Sequence, residues 1–113
     1  MPKLIFLTTA LGVILGAFGA HGLKDSVSPE FLEIWKTGIF YHLIHGIGSY
    51  IALRENQKNI SKLFLIGIFF FSGSLYALVL TGIKTFGAIT PIGGVIFILC
   101  WILLAFRVKE THE

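Results

Sequence analysis

The sequence predicts an all-α integral membrane protein, a four-helix bundle with both termini cytoplasmic, and three observations lead there. Of 113 residues, 55% are hydrophobic and only 13% charged, whereas a soluble domain carries roughly 25% charged. The apolar residues gather into four long runs separated by short polar stretches. A chain this short leaves much of its surface in contact with solvent, so lipid must supply the burial that a soluble core could not. The length fits one transmembrane domain covering residues 1–113.

The first run, residues 4–20, contains no charged residue. It reads as a span and not as a cleaved signal peptide, because it is long for a signal core and its small residues are spaced for packing. Lys24, Asp25, Glu30 and Glu33 mark the polar connection that follows. Within it, Ser28-Pro29-Glu30 has the form of a helix start: a serine cap, proline at the first helical position, and a carboxylate facing the positive end of the helix dipole. The second helix is therefore expected to begin outside the hydrocarbon and enter it near Trp35, with residues 38–53 as its apolar span. The other option for residues 28–35 is an interfacial segment, with Phe31, Ile34 and Trp35 in the headgroups and Glu30 and Glu33 in water.

Arg54 to Lys62 reads as a polar loop, and residues 63–82 as the third span. Lys84 falls in the short turn after it, residues 86–106 form the fourth span, and Arg107 to Glu113 make a charged tail. Helices rise about 1.5 Å per residue, so runs of this length match a hydrocarbon core of about 30 Å. Barrel strands are excluded by the lack of alternation.

Lys3, Arg54, Lys58, Lys62, Arg107 and Lys109 fall on one side of this arrangement, and Lys24, Lys36 and Lys84 on the other. Positive residues are retained in the cytoplasm, which places both termini there. The net charge of +3 does not signify nucleic-acid binding, since the cations are scattered between apolar runs and form no basic stripe with interleaved aromatics.

Small residues recur at helical spacing. Thr8, Gly12, Gly16 and Ala20 share one face of the first helix, Gly38, His42, Gly46 and Tyr50 one face of the second, and Gly73 and Ala77 one face of the third. Gly93 and Gly94 lie in the fourth. Such stripes let helix backbones approach closely, so Gly12, Gly16, Gly38, Gly46, Gly73, Gly93 and Gly94 are the expected packing positions, inside the bundle or between copies of it.

Polar side chains in hydrocarbon normally face protein or water. The candidate buried polar cluster is His21, Tyr41, His45, Ser72, Ser74, Tyr76 and Thr90, pictured as a network linking His45, Tyr41, Tyr76 and the serines. Its simplest role is to fix helix register. A small-ligand, proton or metal site is the alternative. His42 and His45 are helical neighbours, but no carboxylate accompanies them within the spans, so no metal site and no cofactor is expected. Nor is an enzyme: the spans hold no acidic residue to pair for general acid–base chemistry, and no Asp organises the serines and histidines. Cys100, the lone cysteine, sits in an apolar run and is expected to behave as a small hydrophobe.

Four blocks of residues resemble one known family. They are Gly16-Ala-Phe-Gly-Ala-His-Gly22; Trp35-x-Thr-Gly38 with Tyr41 and His45; Phe71-Ser-Gly-Ser-Leu-Tyr76; and Thr90-Pro-x-Gly-Gly94 with Phe97 and Trp101. In this order, over nearly the whole chain, they are similar to the domain-of-unknown-function family 423, the YgdD-like small membrane proteins of bacteria with relatives in eukaryotes. The resemblance implies a multi-pass protein of the bacterial cytoplasmic membrane with no assigned reaction. It carries over to His21, Tyr41, His45, Ser72, Ser74, Tyr76, Thr90 and Pro91, and leaves out His42. The expectation is a non-enzymatic structural, membrane-integrity or stress-related factor. Its expected partners are membrane lipids, with a second copy or another membrane protein as further candidates, and no nucleic acid.

Overall fold

In the computed structural model, which describes residues 1–109, every long apolar run lies on a helix. α1 spans Pro2–Phe18 and continues into one π-helical turn, Gly19–Leu23. α2 spans Pro29–Arg54, α3 Lys58–Thr81 and α4 Thr90–Arg107, the last preceded by a 3-10 turn at Lys84–Ala88. There is no strand among the described residues. The end of the predicted charged tail, residues 110–113, lies outside them.

The helix boundaries have local causes. Ser28 caps α2 through its Oγ, which accepts the Phe31 N–H at 3.1 Å, and Pro29 follows in the first turn. Residues 29–35 are thus the first turns of α2 and not a separate interfacial segment. The polar loop expected from Arg54 to Lys62 is shorter than its composition suggested. Only residues 55–57 separate α2 from α3, with Asn56 taking the left-handed conformation at φ 61°, which asparagine tolerates. α3 starts early because Ile60 and Ser61 are buried, Ile60 packing with Ala52 of α2. At its far end Gly82, at φ 73°, closes the helix.

Successive helices run antiparallel. At one end Ala52, Ile60, Phe64, Cys100 and Leu104 join α2, α3 and α4 in an apolar cluster. At the other, Leu23, Trp35, Leu78 and Val79 form a second. Among the long helices α1 packs mainly on α2, and it leaves Leu4, Leu7, Val13 and Ile14 at least half exposed. Three segments are long and apolar enough to cross a bilayer: Pro2–Leu23, Lys58–Thr81 and Lys84–Arg107. α2 has the length, with 26 residues, but its composition is more polar. Its position explains this. It touches α1, α3 and α4, so it places His42, His45 and Ser49 against protein where the other helices must show hydrocarbon to lipid.

Most of the predicted packing glycines sit at helix crossings. A Cβ on Gly12 would lie 2.8 Å from Leu43, one on Gly16 3.4 Å from Ile39, and one on Gly38 2.9 Å from Tyr76. Gly46 faces the Thr9 side chain, Gly93 lies against the backbone of Phe71, and a Cβ on Gly94 would lie 3.9 Å from the Phe71 ring. Gly73 differs from the others. A Cβ there meets no atom within 4 Å, because this face of α3 looks outward into a groove lined by Phe69, Phe70, Ala77 and Phe86. Gly73 therefore makes no helix crossing within the bundle.

Candidate functional site

The predicted polar cluster separates into several hydrogen-bonded units, each joining two or three helices. The richest is centred on His42, which is 2% exposed. Its Nε2 lies 2.7 Å from the carbonyl oxygen of Thr8 on α1 and its Nδ1 2.8 Å from Tyr76 Oη on α3. A carbonyl can only accept, so Nε2 carries the proton. Nδ1 is then the acceptor, and the Tyr76 hydroxyl donates to it. One imidazole ties three helices. Trp35 extends the unit, its ring centroid 4.7 Å from that of Tyr76 and its Nε1–H donating to the Leu15 carbonyl at 3.0 Å. The indole fits there because Gly19 has no side chain: a Cβ would overlap it.

His45 has the opposite tautomer. Its Nδ1 is 2.8 Å from the Tyr41 carbonyl one turn earlier, so the proton sits on Nδ1. Nε2 accepts from Trp101 Nε1–H of α4 at 3.1 Å. The ring stacks on Phe97 with centroids 3.6 Å apart and planes 7° from parallel. Tyr41 lies beside this stack, its ring centroid 5.7 Å from that of His45 and 6.3 Å from that of Phe97.

The hydroxyls form the remaining units. Ser72 Oγ donates to the Gly38 carbonyl at 2.7 Å, which couples α3 to α2. Ser74 Oγ contacts the Phe71 carbonyl and Thr90 Oγ1, which holds the start of α4 on α3. Ser49 and Ser61, both 0% exposed, each donate to the other's carbonyl at 2.8 Å.

The cluster drawn from the sequence is thus rearranged. His45 pairs with Trp101, while Tyr76 pairs with His42, so the expected His45–Tyr76 link is absent among the described residues. His21 stands apart, exposed on the π-helical turn. Ser72, Ser74, Tyr76 and Thr90 each anchor a helix contact, but in different units. His42 matches no position of the four family-like blocks, and Ser61 falls in the stretch whose composition predicts a loop. A signal for His42 existed, since it lies midway between Gly38 and Gly46 on the stripe that packs α2. The signal for Ser61 was the helix register beginning at Lys58.

Chemically, both ring nitrogens of both histidines are engaged by protein groups, and no lone pair is left to bind a ligand without breaking a helix contact. Among the described residues, no group of three or more His, Cys, Asp or Glu side chains is placed to hold a metal ion. A surface groove of about 320 Å³ runs between α1 and α2 past Gly16, Trp35 and Ile39 and does not include either histidine.

A family model described as a protein of unknown function (DUF423) matches residues 15–94. Among similar proteins, the UPF0382 membrane protein YwdK of Bacillus subtilis is 42% identical over 106 residues, covering 87% of this chain and 86% of the relative. A UPF0382 membrane protein of Staphylococcus epidermidis is 45% identical, covering 87% and 85% respectively. UPF0382 membrane protein SAB0533 of Staphylococcus aureus is 44% identical, covering 90% and 92%. No solved structure matches the chain.

Proposed function

From the premise that this chain belongs to the DUF423 family of membrane proteins of unknown function, we propose that it is a non-enzymatic, four-pass protein of the bacterial cell membrane that acts as a structural, membrane-integrity element. The observation that carries this reading is the complete use of His42 and His45 within the protein. Four ring nitrogens meet Thr8, Tyr76, Tyr41 and Trp101, at distances of 2.7–3.1 Å. In hydrocarbon such bonds hold helices in register, since the alternative is an unsatisfied polar group. A ligand-binding histidine needs a nitrogen free to reach the ligand, and a catalytic one a nucleophile or acid–base partner beside it. α2 crosses with the others despite its polarity, because it runs antiparallel to both α1 and α3. Both termini and the connection at residues 55–57 face the cytoplasm, on the side that holds six of the nine Lys and Arg residues. Lipids are its partners throughout, and nucleic acid is not among them.

The test compares the native chain with His42→Ala and His45→Ala after gentle extraction from membranes, by thermal unfolding and native mass spectrometry. Both variants should melt at lower temperature, with the native chain carrying no molecule or metal of defined mass that they lose. Unchanged melting, together with loss of a bound species in His45→Ala, would move the protein to the alternative reading of a binding or transport module.

A further inference from the structure

We propose that the end of the bundle formed by the starts of α1 and α3 and the ends of α2 and α4 is a recognition surface for anionic phospholipid headgroups. The helices bring together there cations that are far apart in sequence: Lys3 in the first turn of α1, Arg54 closing α2, Lys58 and Lys62 one turn apart on α3, and Arg107 with Lys109 at the end of α4. All six side chains are exposed. The apolar cluster of Ala52, Ile60, Phe64 and Leu104 lies beneath this end and fixes α2, α3 and α4 relative to one another. The Phe6–Tyr50 ring contact, with centroids 5.2 Å apart, brings the start of α1 level with the end of α2. The molecule measures only 25 by 22 Å across its two shorter axes, so the six share a compact face.

The two ends differ sharply in charge. Among the described residues this one has six cations against Glu55, while the other has Lys24, Lys36 and Lys84 against Asp25, Glu30 and Glu33, a net of zero. At the far end the acids are placed to neutralise: Glu30 occupies the first turn of α2, and Glu33 pairs with Lys36 at 3.5 Å. At the near end the first turns of α1 and α3 contain no acidic residue, and among the described residues no ion pair engages any of the six cations. Orientation in the membrane requires only an excess of positive charge on one side. A compact set of about four to eight Lys and Arg beside membrane helices also attracts anionic headgroups. The occupant is a lipid and not a free anion, because these side chains ring the ends of apolar helices, where the headgroup layer begins.

This inference rests on the membrane reading above but not on the role given to the histidines, and the two fail in separate experiments. The full chain, purified in mild detergent, is offered equimolar phosphatidylglycerol and phosphatidylcholine with identical acyl chains, and bound lipids are counted by native mass spectrometry. Phosphatidylglycerol should be retained preferentially. Each cation removed should weaken that preference by about fivefold, so the triple variant Arg54→Gln/Lys58→Gln/Lys62→Gln should largely lose it. The variant Lys24→Gln/Lys36→Gln/Lys84→Gln should keep it. Should the first triple variant not fold, the native chain decides the matter: raising salt from about 0.05 to about 0.5 M should erase the preference. Equal retention of the two lipids, equal losses in both triple variants, or a preference indifferent to salt would each overturn the proposal.

Discussion

Ser49 and Ser61 show how much a pair of small polar groups can specify where no water competes. Each hydroxyl donates to the other residue's carbonyl, and both side chains are fully buried. Within a helix, a serine hydroxyl often folds back onto its own helix, as Thr9 does onto the Ile5 carbonyl and Thr81 onto that of Ala77. The reciprocal geometry instead turns both hydroxyls across the helix interface and sets the register of α2 against α3. Replacing either serine by alanine leaves its partner's carbonyl without that donor. Ser49→Ala and Ser61→Ala, each followed by thermal or denaturant unfolding in detergent, should each destabilise the protein by about 0.6 kcal/mol and at most about 1.7, the average and the maximum found for hydrogen bonds between membrane helices. Unchanged unfolding in both variants would mean that the two hydroxyls do not hold the register.

At the scale of elements, helix crossings are decided by where a side chain is missing. Gly93 brings α4 onto the backbone of α3 at Phe71, and a Cβ would lie 2.7 Å from the Phe71 Cα. Backbone cannot move aside as the end of a flexible side chain can, so Gly93→Ala should destabilise the protein by about 1–3 kcal/mol. Gly73, twenty residues earlier in the chain, offers the internal control, since its Cβ position is open within 4 Å. Gly73→Ala should leave the melting temperature unchanged or slightly raised, alanine being the better helix former. A large loss at Gly73 would reveal something packed on that face of α3. The other element-level feature is the central place of α2. Its histidines, serine and small residues serve three neighbouring helices, and its modest hydropathy follows from facing protein.

For the whole molecule, asymmetry of charge is the leading property. It underlies both the orientation proposed for the chain and the lipid recognition proposed for one end. The orientation has its own check. In a Cys100→Ala background, single cysteines at Lys84 and at Lys58 are exposed to a membrane-impermeant maleimide on intact cells. The Lys84→Cys protein should label and the Lys58→Cys protein should label only after the membrane is opened. The reverse pattern would invert the topology, though it would leave the bundle itself unaffected.

Composition and run length were enough to determine four apolar helices, the start of α2 at Ser28-Pro29, and the residues polar enough to need partners in lipid. These properties follow from the solvent: every polar group in hydrocarbon must be satisfied, and every span must match the bilayer. The candidate positions Tyr41, His45, Ser72, Ser74, Tyr76 and Thr90 were legible for that reason. Only the tertiary structure decided how they pair. Histidines three residues apart on one helix point to different neighbours, so His42 meets α1 and α3 while His45 meets α4. Spacing along a helix gives the angle between two side chains, but the identity of the helix at each angle depends on how the bundle closes. His21 shows the same limit, since a π-helical turn carries it to an exposed position. A single chain's local pattern defines which groups require a partner, and the packing of four helices determines which partner each one finds.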